Sequence, residues 1–425
     1  MNKIIEEIID IFYDNGYEAY LVGGAVRDYL LDVYIEDFDI ATNASLDEIK
    51  QLFKNRKQKE YKSKGLTIGV KYDSFYVEIS TFKGKDIYED LGNRDFTINA
   101  IAYNNKEGFI DSFNGRVDIT RKIIRAVDNP DKIIAYDPIR ILRAIRFSAI
   151  KGFKIADDLK IALIKNKDLL NTIKFERIQK EINPILLIEK PSLYIREYKE
   201  IFFIIFDGLE KTYKFNQYND YHHLDVFEHT LLVLDSTKNI LPLRLAALFH
   251  DIGKPLCFTI DNKGIGHFYG HPEKSAEIAN ENLLKLCYNH DLIKIVYKVI
   301  YYHDYYLIND EKILLKFLYK FGTNNLDIYF GLKRADVLGQ NPKYIDRIVL
   351  LDDIANSIKK IIDENKIITF KNLAIKGNDL VELGYEGHKI QIALDYLLKA
   401  VIEKRIKNNK EKLIELALKI KNEIE

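Results

Sequence analysis

The sequence predicts an α+β protein, with a mixed sheet and helices in about the first 135 residues and an all-helical remainder. Short apolar runs bounded by glycine or charged residues, such as Ala-Tyr-Leu-Val at 19–22, dominate the first part. From about residue 136, apolar residues recur every three or four positions almost to the C-terminus, and the whole chain has only eight prolines. With 425 residues, the chain exceeds what one hydrophobic core usually supports, so we expect several domains.

The individual elements follow from the same patterns, taken in chain order. Helices are predicted at residues 3–15, ended by Gly16, at 26–31 and at 139–150. Strands are predicted at 19–22, 38–41, 67–70, 75–80, 98–103 and 108–111, with 67–80 forming a hairpin around Asp73-Ser74. Together with the motifs described below, these elements predict four domains: 1–135 with the sheet, 136–205 as a helical neck, 206–350 as a second catalytic domain, and 351–425 as a helical tail.

The bulk composition excludes several classes of protein. Basic and acidic residues balance at 64 each, so nucleic-acid binding would have to come from local basic surfaces. Only Cys257 and Cys287 are present, so neither a disulfide framework nor a cysteine zinc site is expected. The N-terminus is amphipathic and acidic, unlike a signal peptide, and no run of 18 apolar residues exists. We therefore expect a cytoplasmic protein.

A glycine pair followed by two carboxylates is the most informative motif. Gly23-Gly24 precedes a predicted helix, so backbone N–H groups can approach phosphates closely, and Arg27 adds a guanidinium that matches phosphate oxygens. Asp37 and Asp39 are two residues apart, a spacing that puts both carboxylates on one face of a strand. Such a pair suits Mg²⁺ ions shared with a nucleoside triphosphate, and Glu78 could supply a third carboxylate.

Two further motifs continue this ordered set. Residues 93–100, Asn-Arg-Asp-Phe-Thr-Ile-Asn-Ala, combine Arg94, Asp95 and Asn99 with apolar residues typical of a strand. Residues 136–147 place Asp137, Arg140 and Arg143 at successive steps of three, so we expect them to share one face of a helix.

The motifs GGAVRD, DFDIAT, RDFTINA and DPIRILRAIRF, in this order, resemble those of the bacterial class II tRNA nucleotidyltransferases, the CCA-adding enzyme and poly(A) polymerase family. The resemblance covers the first half of the chain closely and implies a fold like that of DNA polymerase β. It implies that Asp37 and Asp39 are catalytic and bind Mg²⁺, and that nucleotide binding involves Gly23, Gly24, Arg27, Asp28, Arg94, Asp95, Asn99, Asp137, Arg140 and Arg143. Arg94, Asp137 and Arg140 would read the base of incoming CTP or ATP without a template, because they can mimic a Watson–Crick edge.

The chain departs from the family pattern in two places. Asn93 stands where the family usually has arginine, and only fifteen residues separate Glu78 from Arg94, about half the usual span. In the family, that span includes a mobile loop, and a short version is associated with enzymes that add two cytidines but not the final adenosine. The sequence leaves open whether this chain adds CCA or only CC to the tRNA 3′ end.

A second ordered set lies in the helical part and resembles the HD phosphohydrolases. His229, His250, Asp251 and Asp336 match the metal-binding pattern, and His271 and His303 match the extra histidines of sites with a second metal. The resemblance implies a divalent transition metal such as Ni²⁺ or Mn²⁺, and a phosphohydrolase that removes 2′,3′-cyclic or terminal phosphate from an RNA end.

The residues also leave alternatives open. The chain could be a poly(A) polymerase, or a phosphohydrolase whose N-terminal domain only binds a regulatory nucleotide, or an RNA-binding protein with inactive sites. Intact Asp37 and Asp39 argue against the last two. Residues 373–390 also resemble the family's tail, although less closely, and predict that the C-terminal helices grip tRNA by shape.

Overall fold

The fold was analysed in a computed structural model that describes residues 3–35, 37–61, 67–72, 75–367 and 369–421. The chain divides into two compact units. The first comprises Met1–Ile188 with Glu197–Ile205, and the second comprises Glu189–Arg196 with Phe206–Glu425. The finer division into four domains stays a prediction.

The described residues form the following elements. The strands are β1 Ala19–Val22, β2 Phe38–Thr42, β3 Gln58–Glu60, β4 Thr67–Tyr72, β5 Phe75–Thr81, β6 Ala102–Asn104, β7 Gly108–Ile110, β8 Ile123–Ile124, β9 Lys154–Ile155, β10 Thr259–Ile260 and β11 Gly266–His267. The helices are α1 Lys3–Asp14, α2 Gly24–Leu30, α3 Leu46–Leu52, α4 Ile87–Gly92, α5 Gly115–Arg121, α6 Pro130–Tyr136, α7 Arg140–Lys151, α8 Asp157–Lys165, α9 Phe175–Leu186, α10 Pro191–Glu197, α11 Lys199–Ile205, α12 Val226–Asp235, α13 Leu241–Phe249, α14 His271–Lys285, α15 His290–Tyr302, α16 Glu311–Phe321, α17 Leu326–Gly339, α18 Arg347–Asp363, α19 Gly377–Glu382, α20 His388–Ile402 and α21 Lys410–Ile420.

A mixed sheet organises the first unit. Its strand order is β3-β4-β5-β2-β1-β6-β7, in which β2 and β5 are parallel and the other neighbours are antiparallel. The interior strand β1 is buried along its whole length, and α1 covers the sheet with the fully buried side chains Ile5, Ile8, Ile9 and Phe12. This arrangement confirms the predicted mixed sheet with helices, including the antiparallel pairing of β4 with β5; Asp73 and Ser74 themselves lie outside the described residues.

The strand predicted at residues 98–103 is correct only in its second half. Thr97–Asn99 forms a 3₁₀ turn, and β6 begins at Ala102. The polar side chains explain the difference, because Thr97 Oγ1 donates to Asp118 Oδ2 at 2.7 Å and Asn99 Nδ2 donates to Asp95 Oδ1 at 2.9 Å. These hydrogen bonds hold the chain in a turn where apolar alternation alone indicated a strand.

The chain from about residue 136, which was predicted to be all-helical, is mainly helical, and the second unit has this character throughout most of its length. The structure adds one short antiparallel strand pair there, β10 with β11, and a parallel pair in the first unit, β8 with β9. Helices α12, α13 and α17 pack against one another around fully buried side chains such as Phe227 and Phe249. Over the described ranges, every helix is too short or too polar to cross a lipid bilayer.

Candidate functional site

The sheet register brings Asp39 and Glu78 together. Asp39 lies on β2 directly opposite Glu78 on the parallel strand β5, so the two side chains point to the same face of the sheet. Neighbouring strands lie about 4.8 Å apart, which places the carboxylates within reach of one cation. Asp37 precedes β2 and is exposed, two residues from Asp39.

Gly23 directly follows the end of β1 and lies beside the Asp39 carboxylate. Its backbone has φ +68° and forms the N-cap of α2. A Cβ atom here would lie 2.8 Å from Arg94 Nη1 and 3.9 Å from Asp39 Oδ2. A side chain at this position would therefore fill the space between the carboxylate and the guanidinium, so the cradle fits a phosphate and its cation.

Arg94 is held in place by Asp90, which the sequence reasoning missed. Arg94 Nε and Nη2 donate to Asp90 Oδ2 at 3.1 and 2.9 Å, and Asp90 is only 2% exposed. Asp90 also accepts from the backbone N–H of Lys83 at 3.0 Å. The spacing of four residues could have indicated this pair from the sequence, although Arg94 lies two residues beyond the end of α4.

Arg27 lies at the centre of a buried hydrogen-bond network. Its Nη1 donates to Asn99 Oδ1 at 2.6 Å, while Nε and Nη2 donate to the two oxygens of Asp28 at 3.1 and 2.9 Å. Lys151 Nζ donates to Asp28 Oδ1 at 2.8 Å. Asp28 and Asn99 thus fix the Arg27 guanidinium, whose ring neighbour is Phe147 at 5.0 Å.

The network continues from Asn99 to a buried ion pair. Asp95 Oδ1 accepts from Asn99 Nδ2, and Asp95 Oδ2 lies 2.7 Å from Arg143 Nη2. Burial opposes ionisation of Asp95, but the Arg143 charge and these hydrogen bonds lower its pKa to about 2. Arg143 also approaches Glu181 at 3.9 Å, so the two predicted residues Asp95 and Arg143 link the sheet unit's 3₁₀ turn to α7 and α9.

This ion pair allows a stability prediction. Asp95→Asn is expected to lower the free energy of unfolding by about 2 kcal/mol at pH 7, since each unit of pKa shift is worth about 1.4 kcal/mol. Because the pKa of Asp95 is lowered, its contribution is complete above about pH 4 and disappears as the pH falls toward 2. Urea unfolding of both proteins at pH 7 and pH 3 measures this, with the exposed Asp47→Asn as control. A difference that does not shrink at pH 3 would contradict it.

The expectation that Asp137, Arg140 and Arg143 share one helical face is wrong for Asp137. Asp137 follows the end of α6 in an extended conformation, with φ −147° and ψ 98°, and α7 begins at Arg140. The cause is Pro138, because the residue before proline is disfavoured in the α region. Asp137 Oδ2 instead accepts from Arg177 Nη2 at 2.7 Å, and Arg140 Nη2 donates to the backbone oxygen of Asn93 at 2.7 Å.

The predicted histidines of the second unit converge from different helices. His229 lies on α12, His250 directly follows α13, His271 begins α14 and His303 directly follows α15. Asp336 lies on α17, and Asp251 follows His250. All four histidines and Asp251 are buried in the second unit.

Asp251 bridges two groups of possible metal ligands. Its Oδ2 lies 3.3 and 3.2 Å from Nε2 of His229 and His250, while its Oδ1 lies 3.4 and 3.7 Å from Nε2 of His271 and His303. Within each group, the ligand atoms lie within 4.8 Å of one another. Asp336 Oδ1 approaches His229 Nε2 at 3.1 Å, so it joins the first group.

Backbone carbonyl groups orient all four imidazole rings. The Nδ1 atoms of His229, His250, His271 and His303 donate to the oxygens of Gly339, Ala247, Phe268 and Ile300 at 2.6–3.0 Å. A carbonyl can only accept, so each Nδ1 carries a proton and each Nε2 faces the cluster, where it can offer its lone pair to a metal ion that displaces any proton held there. This arrangement is the one that metal-binding histidines require.

The charges in the cluster also favour a cation. Burial opposes ionisation of Asp251 and Asp336, but His229 and His250 keep the pKa values of both carboxyl groups well below the usual range, and Lys254 adds to this effect at Asp251. Burial disfavours the protonated form of His229, but the carboxylates of Asp251 and Asp336 outweigh this effect and raise its pKa to about 9. Asp251 Oδ2 is buried and accepts no hydrogen bond of regular geometry from the described residues, although Lys254 Nζ lies 2.6 Å away. An oxygen in this state fits a metal ligand.

Several neighbours of the cluster were missed by the sequence reasoning. Lys254 Nζ donates to Gln217 Oε1 at 2.8 Å, and the His222 ring packs edge-on against His229 at 4.8 Å. Gly339 packs so closely that a Cβ atom would lie 2.9 Å from the His229 ring. Of these neighbours, Lys254 could have been recognised from its spacing of three residues after Asp251. Gln217, His222 and Gly339 reach the cluster through tertiary packing.

Comparisons with protein families agree with both parts of the chain. Residues 19–125 match the poly(A) polymerase head domain, residues 152–201 match the probable RNA and SrmB-binding site of polymerase A, and residues 220–338 match the HD domain. The first match contains Gly23, Asp39 and Glu78, and the third contains the complete histidine and aspartate cluster.

Individual relatives include enzymes of both product types. A CCA-adding enzyme of Ligilactobacillus salivarius is 37% identical over 214 residues, 45% of this chain and 51% of that protein. A CC-adding tRNA nucleotidyltransferase of Halalkalibacterium halodurans is 36% identical over 190 residues, 44% of this chain and 50% of that protein. The chain thus matches about half the length of these curated relatives. The crystal structure of the Bacillus stearothermophilus CCA-adding enzyme in complex with CTP superposes with a TM-score of 0.68 at 25% identity, covering 99% of this chain and 98% of that one.

Proposed function

We propose that this chain is a class II tRNA nucleotidyltransferase with an HD domain, and that it transfers nucleotides from CTP to the 3′ end of tRNA and releases pyrophosphate. The observation that carries the proposal is the juxtaposition of Asp39, Glu78, Gly23 and Arg94 near the end of β1. Carboxylates, a backbone that can approach phosphates and a fixed guanidinium are the parts that phosphoryl transfer needs.

Each residue of this site would have a defined task. Asp37 and Asp39 would hold Mg²⁺, which supplies charge neutralisation at the attacking and leaving oxygens. The free N–H groups at the start of α2 would bind the triphosphate, and the guanidinium of Arg94, beside Gly23, would lie between the triphosphate and the base that it helps to select. The Arg27 network, with Asp28, Asn99 and Asp95, would keep α2 in position. The RNA 3′-hydroxyl would then attack the α-phosphorus, and the bond to the pyrophosphate oxygen would break.

We propose that Arg94, Asp137 and Arg140 select the base, with Arg143 keeping α7 in place. Arg140 is 8% exposed and bonded to the Asn93 backbone, so its position is rigid. Asp137 is held by the half-exposed Arg177, which a bound nucleotide could displace. Rigid donors and acceptors can recognise a base edge in the absence of a template.

We further propose that the product is CC and not CCA. The fifteen residues between Glu78 and Arg94 comprise the end of β5, five residues at 82–86, helix α4 and its C-cap Asn93. Asn93 Nδ2 donates to the Lys83 and Glu89 oxygens at 2.5 and 2.9 Å, and Arg94 is tied to Asp90. This span is short and closely hydrogen-bonded, so it does not resemble the longer mobile loop that adenosine addition uses in the family. This difference supports addition of CC alone.

A primer-extension assay tests both the activity and the product. With tRNA lacking its 3′ CCA, we expect two additions from CTP alone, and no third when ATP is also present. An ATP-dependent third addition would overturn the CC-only proposal but leave the transferase intact. Long tails from ATP alone would instead identify a poly(A) polymerase, and no incorporation at all would overturn the transferase proposal.

We propose that the histidine and aspartate cluster is a metal-dependent phosphohydrolase site acting on phosphorylated RNA 3′ ends. Two divalent ions, Mn²⁺ or Ni²⁺, would bind to the two groups that Asp251 bridges, and they would polarise the phosphate ester and a water molecule. For a 2′,3′-cyclic phosphate, the water oxygen bonds to phosphorus, one ribose P–O bond breaks, and the proton passes to the released ribose oxygen. Hydrolysis of cytidine 2′,3′-cyclic phosphate in the presence of each metal tests the proposal, and the absence of turnover with all of them would overturn it.

We propose that the C-terminal helices contribute tRNA contacts. A surface hollow at the end of α20 is lined by Val401, Lys404, Arg405, Ile406, Lys407, Asn408 and Lys412. Lys404 and Arg405 are paired with Glu311 and Glu403, and Lys407 and Lys412 add further positive charge. This charge suits a phosphate backbone, despite the zero net charge of the chain.

A further inference from the structure

Two tyrosines and an arginine form a surface patch in the second unit. The Tyr221 and Tyr344 ring centroids lie 4.9 Å apart with planes inclined by 31°. The Arg347 guanidinium carbon lies 5.5 Å from the Tyr221 centroid and 5.9 Å from the Tyr344 centroid. We call these three residues the tyrosine–arginine patch; neither the transferase nor the hydrolase chemistry described above uses them.

One glutamine connects the patch to the histidine and aspartate cluster. Arg347 Nη1 donates to Gln340 Oε1 at 3.0 Å, and Gln340 Nε2 donates to Asp336 Oδ2 at 3.2 Å. The other oxygen of Asp336 is the one that approaches His229. The Gln340 side chain therefore links Arg347 of the patch to Asp336, whose carboxylate faces the cluster.

Tyr221, the member of the patch on the other chain segment, is also connected to the histidine and aspartate cluster. Tyr221 precedes His222, whose ring packs against the ring of His229. The backbone oxygen of Tyr221 accepts from the N–H of Asn341 at 2.8 Å, which ties the two chain segments of the patch together. Both tyrosines are thus held at a fixed place beside the cluster rather than on independent loops.

The chemistry of the patch suits a nucleoside with a phosphate. Tyr221 is 50% exposed, and a fixed aromatic face of this kind stacks on any base. The neighbouring Lys343 is paired with Asp220, whereas Arg347 forms no ion pair with a carboxylate among the described residues. Its positive charge is therefore available to a phosphate oxygen.

We propose that the tyrosine–arginine patch binds the terminal nucleoside of an RNA whose 3′-terminal phosphate lies at the cluster, with the base on Tyr221 and the preceding phosphodiester near Arg347. The inference rests on the proposed hydrolase function and adds its substrate class. The site would prefer phosphorylated RNA ends over small phosphate esters, because the base contributes binding that a base-free ester lacks.

A pair of substrates that differ only in the base tests the proposal. Cytidine 2′,3′-cyclic phosphate is compared with methyl riboside 2′,3′-cyclic phosphate, using the full chain loaded with Mn²⁺. For Tyr221→Ala, we expect KM for the cytidine substrate to rise about 5- to 10-fold with kcat unchanged, since base stacking on an aromatic ring contributes at least about 1 kcal/mol. KM for the base-free substrate should not change, and Tyr221→Phe should behave as the unaltered protein.

A matched control comes from another tyrosine–arginine pair. Tyr396 on α20 stacks with Arg405 at 5.2 Å, so Tyr396→Ala removes the same kind of contact far along the chain and should leave both substrates unaffected. Equal KM values of the unaltered protein for the two substrates, or an equal effect of Tyr221→Ala on both, would overturn the proposal while the hydrolase function stands.

Binding of cytidine 3′-monophosphate, measured by calorimetry, separates the two proposals completely. If neither cyclic substrate is hydrolysed, the hydrolase proposal fails, but the binding measurement still decides the patch. Weaker binding of this nucleotide by Tyr221→Ala than by Tyr396→Ala supports the patch. Equal binding by the two variants overturns it.

Discussion

Replacing Asp39 with alanine is expected to reduce nucleotide incorporation into tRNA to the level of a reaction without enzyme. Asp39 lies opposite Glu78 in the sheet and 3.9 Å from the place of a Gly23 Cβ, so its carboxylate faces the space proposed for the triphosphate and its cation. Without it, the developing charge on the attacking and leaving oxygens would lose its neutralising ion. Incorporation of labelled CMP into tRNA lacking CCA measures the loss.

The same preparation should still hydrolyse cytidine 2′,3′-cyclic phosphate at the unaltered rate, because Asp39 and the histidine cluster belong to different units. Asp47→Ala is the matched control, since this aspartate lies in the same unit with a side chain 95% exposed. It should retain both activities. Loss of both activities in a folded Asp39→Ala protein would mean that the assignment of one activity to each unit is wrong.

Replacing Asp251 with asparagine is expected to have the corresponding effect on hydrolysis. Asp251 is the one residue shared by both groups of possible ligands, so its substitution should weaken two metal positions at once. Hydrolysis of the cyclic nucleotide should fall by more than the roughly 10- to 100-fold that typifies loss of an outer partner of a metal ligand. Nucleotide incorporation should be unchanged, and metal binding by calorimetry should show the loss independently of turnover.

Two further variants sharpen this prediction. Gly339→Ala should weaken metal binding about 10- to 100-fold, because the new Cβ would displace the His229 ring while the ligands themselves remain. Asp261→Asn is the control, since Asp261 forms an exposed pair with His267 at 3.0 Å outside the cluster. Metal binding in Asp251→Asn as tight as in Asp261→Asn would show that the cluster is not the metal site.

The sequence predicted the residues of the first candidate site more readily than the partners that hold them in place. The residues of the first candidate site lie in ordered motifs, so the sequence predicted Gly23, Arg27, Asp39 and Arg94 as site residues. Their partners were harder to find. Asp90 is one of two adjacent acidic residues on α4, and only the structure shows that it is the one that binds Arg94.

Asp137 illustrates a local rule that periodicity alone overlooks. A spacing of three residues predicted one helical face with Arg140 and Arg143, but Pro138 ends that pattern because it disfavours a helical conformation at the residue before it. The strand predicted at residue 98 began too early for a related reason, since side-chain hydrogen bonds of Thr97 and Asn99 compete with strand pairing.

The sequence by itself determined which functional groups the two candidate sites contain, because carboxylate, imidazole, guanidinium and glycine can be recognised as residue types in ordered motifs. It also determined the α+β class, because apolar periodicity directly reflects which face of an element is buried. Only the tertiary structure decided that Asp251 faces two groups of histidines, that Gly339 orients His229, and that Tyr221 and Arg347 meet beside them. Contacts between residues that are distant in the sequence depend on how helices pack, and helix packing is not encoded in the local spacing of a motif.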